Sequence, residues 1–228
     1  MSRKLISILL VTMLSITMVG CGDKNEGNAS GTSTVTASDK YKDLDGEWAE
    51  DLSLDELEKK YDSLLKKVEE RNRYYGLEYE TKEDVKETET QTMSEEYLYL
   101  ENKKAEKNRL ETLYFALRTY GKELSEGQIV MKLALNFDGE KALKEKNFDF
   151  GETSLASYSA IFTGEKDRDY KSINEEILTV LQSEDEEGII KNNINGLYEE
   201  FIVSKEYIVY RLETKKFNFA TENGENNK

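Results

Sequence analysis

The chain of 228 residues contains no histidine and no proline, and it has a single cysteine. Without histidine there is no Ser-His-Asp triad, no Cys-His pair, no HExxH zinc site and no imidazole proton shuttle. One cysteine allows neither a disulfide within the chain nor a CxxC redox motif. With no proline, no X-Pro bond isomerises slowly during folding. Positive charge is also scarce, with 32 Lys and Arg against 47 Asp and Glu. Binding a polyphosphate needs cations to release its counterions, so this balance excludes nucleic acid as a partner. Neither a Walker A sequence nor GxGxxG occurs.

Long apolar runs are confined to the start. Met1-Ser2-Arg3-Lys4 is basic, and Leu5 to Val19 is apolar apart from Ser7, Thr12, Ser15 and Thr17. A spanning helix needs about 20 apolar residues, whereas roughly 7 to 15 after positive charge reads as a cleaved export signal. Met18-Val19-Gly20-Cys21 follows, and it resembles the lipobox of bacterial lipoproteins. Met18 departs from the commoner Leu but keeps the apolar character, and Gly20 lets the scissile bond approach an enzyme closely. The resemblance implies cleavage between Gly20 and Cys21, a diacylglyceryl thioether on Cys21 and often an acyl chain on its freed amine. Two acyl chains, at about 0.8 kcal/mol per buried CH₂, would give stable attachment to a membrane. The alternative is an ordinary secretory signal with Cys21 as a passenger.

Loss of Arg3 and Lys4 with the signal takes the net charge from −15 to −17. Hydrophobic residues make up 37% and charged residues 35%, which suggests solvated helices around a modest core. Fourteen Tyr against eight Phe imply that half-buried tyrosines carry part of that core. Gly22 to Asp39 is small and polar without periodicity and reads as a tether, with a reach of roughly 25 Å.

Ser53 and Glu56 form a capping-box pattern, with Leu52 and Leu57 placed as a hydrophobic staple. Leu54, Leu57, Tyr61, Leu64, Val68 and Tyr75 then repeat three and four apart, predicting a helix that Gly76 ends and Leu77 follows in a Schellman motif. Leu77 to Gln91 is acidic and Thr-rich and reads as a mobile or weakly helical connection. From Ser94 to Tyr120 the spacing of Leu110, Leu113, Leu117 and Tyr120 predicts a second long helix, antiparallel to the first. Ile129 to Phe137 reads as a strand entering a tight turn at Asp138-Gly139, and Leu155 to Thr163 as a weaker strand. Ser172 and Glu175 repeat the capping box before a short helix through Ile177 and Leu181. Leu197 to Val203 and Glu206 to Thr214 flank Ser204-Lys205 as a hairpin, with Ile208, Tyr210 and Leu212 on one face, and Phe217 closes the sheet.

Carboxylates are the only catalytic or metal-binding groups in quantity. Asp43-Leu44-Asp45-Gly46 lacks a calcium loop's outer ligands, since Tyr41 and Leu52 fall where acids are needed. Asn136-Phe137-Asp138-Gly139 has Glu145 at the twelfth position but Ala134 at the first. Ser63 and Lys66 match Ser-x-x-Lys without the accompanying SDN and KTG elements, which points to chance. No carboxylate pair stands out for glycoside hydrolysis. The remaining lead is aromatic. Tyr74 and Tyr75, Tyr97 and Tyr99, and Tyr114 and Phe115 lie too close in sequence to share one helix face, so some face outward, where they could dock a peptide, a glycan or a partner helix.

The expected fold is α+β: a long antiparallel helical hairpin followed by a small, mainly antiparallel sheet with one short helix. The expected organisation is a signal peptide (1–20), a lipidated tether (21–45), the hairpin (46–121), a small α+β region (122–217) and a disordered tail (218–228). The expected function is that of a lipid-anchored protein on the extracytoplasmic face of the cell membrane. It binds a protein, peptide or envelope component without catalysis, metal or cofactor. A carboxylate-dependent envelope hydrolase is the alternative; a transporter's solute-binding subunit and a foldase-like lipoprotein stand further off.

Overall fold

Ser53 starts the first helix as the capping box predicts. Its amide donates to Glu56 Oε2 at 2.9 Å, and Glu56 N donates back to Ser53 Oγ at 3.4 Å. Helix α1 (Leu54–Tyr74) buries Leu57, Tyr61, Leu64, Val68 and Asn72 along one side. It ends in the expected Schellman motif: Leu77 N donates to Asn72 O at 2.9 Å and Gly76 N to Arg73 O at 3.1 Å. Gly76 sits at φ 65°, where a side chain would be strained. The computed structural model describes residues 44–88, 92–121 and 124–219; Gly20, Cys21, the signal, most of the tether and residues 220–228 lie outside them.

No second long helix follows. The chain runs through strands β1 (Glu80–Glu87), β2 (Thr92–Glu101), β3 (Arg109–Gly121) and β4 (Glu126–Asn136). It continues through β5 (Gly188–Ile194), β6 (Leu197–Val203), β7 (Tyr207–Glu213) and β8 (Phe217–Asn218). All lie in one eight-stranded sheet of order β1-β2-β3-β4-β7-β6-β5, with β8 beside β4 and antiparallel pairing throughout. The expected fold is therefore corrected: one long helix leads into a large sheet, and no helical hairpin forms.

The physical reason lies in β3. Leu113, Phe115 and Leu117 face the helices while Tyr114 and Ala116, also buried, face the other way, so burial on both faces hides the alternation of a strand. A bulge between Leu110 and Thr112 brings Leu110 to the same face as Leu113, and the resulting interval of three imitates a helix. Thr, Tyr and Phe, dense from Tyr97 to Tyr120, favour the pleated strand. The expected mobile connection contains β1, a wholly exposed edge strand that pairs with β2 from Glu80–Tyr99 to Glu87–Thr92.

Three more helices follow: α2 (Gly139–Glu145), α3 (Ser154–Thr163) and α4 (Lys171–Leu181). Together with α1 they bury one sheet face in a single core around Leu98, Phe115, Leu133, Phe201 and Tyr210. The expected strand at Leu155–Thr163 is helix α3. Leu155, Ala156, Tyr158, Ser159 and Phe162 are buried around its circumference, so no amphipathic stripe marks it. Asp138-Gly139 opens α2 instead of a tight turn, with Asp138 Oδ1 accepting from Lys141 N at 3.1 Å. Ser172 is not a cap: α4 starts one residue earlier, and Asp169 Oδ1 accepts from Lys171 N at 2.8 Å.

The expected β6–β7 hairpin around Ser204-Lys205 is present, with Ile208, Tyr210 and Leu212 in the core. Strand β8 takes Asn218 out of the expected tail and pairs it with Glu126. Strand β5, which the sequence reading missed, joins β6 through Asn195-Gly196 at φ 49° and 80°, the left-handed pair that a tight hairpin requires.

Candidate functional site

The Schellman turn that ends α1 leaves two tyrosines at a corner of the molecule. Tyr74 is 78% exposed and Tyr75 38%, the first being the most exposed large hydrophobic side chain described. Their rings meet edge to face at 5.3 Å, and the Arg71 guanidinium lies 5.8 and 5.9 Å from the two centroids. Tyr75 is the fixed member, because its hydroxyl lies 3.2 Å from Ser157 Oγ on α3. Tyr74 projects beyond it.

This pair forms a ridge shared by two clefts. The larger, of about 1080 Å³, runs between α1 and α3 and carries Lys67, Arg71 and Lys166 with Glu70 and Glu152. The smaller, of about 530 Å³, opens toward the turn between β2 and β3 and carries Lys104, Glu106 and Arg109. In a chain of net charge −15, cations therefore gather on both sides of one aromatic ridge.

Beneath the ridge lies a buried polar floor. Tyr158 OH donates to Asn72 Oδ1 at 2.6 Å. Burial and the nearby Tyr75 push the Tyr158 phenol above its ordinary range, more strongly than Arg71 pulls it down, so it stays protonated as a donor. Asn72 Nδ2 and Ser154 Oγ are buried and find no hydrogen-bond partner among the described residues, and Ser154 lines the smaller cleft. A buried polar group left unpaired costs about 1–3 kcal/mol. A ligand hydroxyl or amide reaching Ser154 would satisfy one of them.

The other candidates disperse. Tyr97 and Tyr99 share the sheet face away from the helices, while Tyr114 and Phe115 point to opposite faces, as strand alternation requires. Ser63 and Lys66 are exposed on α1 without a partnering constellation. Gly46 lies against Asn195, whose Oδ1 accepts from Glu47 N at 2.9 Å, so that corner closes a turn. Among the described residues no group of three or more acidic side chains is placed to hold a metal ion. The two carboxylates of the larger cleft, Glu70 and Glu152, are both exposed, without the apolar surroundings that create a general acid.

Sequence reasoning found Tyr74 and Tyr75 but missed Asn72, Ser154, Lys104, Arg109 and Lys166. No linear motif joins them, because they come from α1, α3, the loop after α3, the β2–β3 turn and the first residue of β3. The overlooked signal for the turn is its asparagines: Asn102 and Asn108 bound it, and Asn108 takes φ 58°. Comparison with protein-family models, with curated proteins and with solved structures finds no match.

Proposed function

We propose that this chain is a lipid-anchored, extracytoplasmic binding protein, attached to the cell membrane through Cys21 after cleavage behind Gly20. Its Tyr74–Tyr75 ridge engages an extended envelope component, a peptide or a glycan. The observation that carries the reading is the ridge, with one tyrosine 78% exposed over unpaired buried polar groups. Aromatic and arginine side chains dominate binding hot spots because they bury large area at small entropic cost. Two clefts on one ridge suit a ligand lying across it, and the cations on both flanks favour a ligand that carries carboxylates. The lipid fits the charge balance, since a mature net charge of −17 repels an anionic membrane and the attachment must come from elsewhere.

Two experiments test this. Fatty-acid metabolic labelling should tag the wild type and not Cys21→Ala; a labelled Cys21→Ala protein would remove the anchor from the reading. A photo-crosslinking residue at position 74 should capture an envelope component in cells. The same residue at position 85, where Val85 is 59% exposed on the edge strand, should not. Equal capture at both positions would remove the ridge as a binding site.

A further inference from the structure

The sheet face opposite the helices carries charge in register across its strands, and no described helix packs on it. One row runs Tyr99, Tyr114, Lys132, Arg211 and Glu200 from β2 to β6. The next runs Tyr97, Ala116, Val130, Glu213 and Tyr198, and beyond it lie Glu95, Arg118 and Gln128.

On the β2–β3 side the polar groups satisfy one another. Glu95 accepts from Tyr114 OH and from Arg118 Nε at 2.5 Å, and Arg118 donates to Tyr114 OH at 2.9 Å. On the β7 side Arg211 pairs with Glu213 and stands 3.9 Å from Glu200. Between these groups two donors remain over. Lys132 is 93% buried as a residue and its side chain forms no hydrogen bond or ion pair with any described residue, while its Nζ atom, unlike Arg211 Nε, is not sealed from solvent. The Arg211 Nε atom is buried and likewise has no partner among the described residues. Lys132 and Arg211 are direct cross-strand partners, so their side chains leave the sheet side by side.

An ammonium on a largely buried side chain, without a partner, destabilises a fold, and replacement by an apolar side chain ordinarily relieves the cost. A chain that keeps such a group gives up stability, and the usual return is function. We infer that Lys132 Nζ and Arg211 Nε form an oxyanion site, which takes a carboxylate or phosphate group of a ligand lying on the open sheet face. The two N–H donors on adjacent strands supply charge-assisted bonds to separate oxygens of one such group. The half-buried Tyr97 and Tyr99, in the same two rows, line the face where the rest of the ligand would lie. Burial, with Arg211 and Arg118 adding repulsion, brings the Lys132 ammonium down to about 8, against the weaker pull of Glu213 and Glu95. A bound oxyanion opposes all of these and should raise it. Tyr114, Tyr198 and Glu200 are the remaining titratable groups of the two rows.

The test titrates the full-length protein separately with inorganic phosphate and with acetate, and follows Lys132 by NMR after selective lysine labelling. Saturable binding of at least one anion in the millimolar range is expected, with the Lys132 titration moved upward. The anion that binds identifies the group. Affinity should be level below about pH 8, fall by about tenfold per pH unit between there and the raised titration point, and level off above it. Lys132→Gln should lose at least tenfold in affinity. Arg211→Lys, which keeps a charge but has no Nε, should also weaken binding, while Ser172→Ala, exposed on α4, leaves it unchanged. The inference is overturned if neither anion moves the Lys132 titration, or if a folded Lys132→Gln protein binds as the wild type does.

Discussion

Tyr158 and Asn72 meet directly beneath the exposed tyrosines, the phenol of α3 donating at 2.6 Å to the amide oxygen of α1, with both residues fully buried. This bond fixes the angle at which α1 presents Tyr74 and Tyr75. Tyr158→Phe keeps the ring but leaves the whole Asn72 amide unpaired. The expected loss is about 1–3 kcal/mol, read as a lower urea midpoint at unchanged m-value. Capture by a crosslinker at position 74 should fall with it.

Arg168 and Glu199 hold the far end of the core. Glu199 is fully buried, and it accepts from Arg168 Nη2 at 2.7 Å and from Tyr210 OH at 2.6 Å. Removing one partner strands a charge, so Arg168→Met should cost about 3–5 kcal/mol. Replacing both with methionine should recover much of that loss, because no buried charge then remains. A urea double-mutant cycle measures the coupling; additive losses would show that the pair contributes nothing beyond its separate contacts.

Where one period and one burial pattern coincide, the fold was legible. Ser53 with Glu56, Gly76 with Leu77, and the alternation of Ile208, Tyr210 and Leu212 each placed an element correctly. The hairpin of helices failed on a coincidence of intervals. Leu113 and Leu117, four apart, share a face in a strand as in a helix, while the bulge after Leu110 makes an interval of three look helical. Strand β5 was missed although Asn195-Gly196 is a strong turn signal, because GIIKNNI shows too few alternating apolar positions. Of the candidate sites, the exposed tyrosines were foreseen. The Lys132–Arg211 pair was not, since the two residues are distant in sequence and meet only through the β4–β7 register.

The two capping-box patterns give a further prediction, since the same four-residue signature has opposite structural outcomes. Ser53 Oγ receives the Glu56 amide, so Ser53→Ala should cost about 1 kcal/mol. Ser172 lies inside α4 with its side chain exposed, and Ser172→Ala should stay within about 0.5 kcal/mol of the wild type. Thermal or urea unfolding of the two variants side by side reads the difference. Equal effects would show that the cap bond at Ser53 adds nothing.

Lys132 also makes the stability of the chain depend on pH in an unusual direction. Its ordinary value of 10.5 falls to about 8 in the folded state, so the fold disfavours the ammonium. Below pH 8 the group is charged in both states and the full cost is present. Between pH 8 and about 10 the folded state loses the proton while the unfolded state keeps it, and stability rises. Above pH 10 the buried Tyr61 and Tyr114, pushed upward chiefly by burial, resist ionisation only when folded, and stability falls. Lys132→Met should therefore be more stable than the wild type at pH 7, by about 1–3 kcal/mol, and should lose the rise between pH 8 and 10. An oxyanion bound at this site would offset the same cost by mass action. Added phosphate or acetate, whichever binds, should thus raise the wild-type midpoint at pH 7 and leave that of Lys132→Met unmoved.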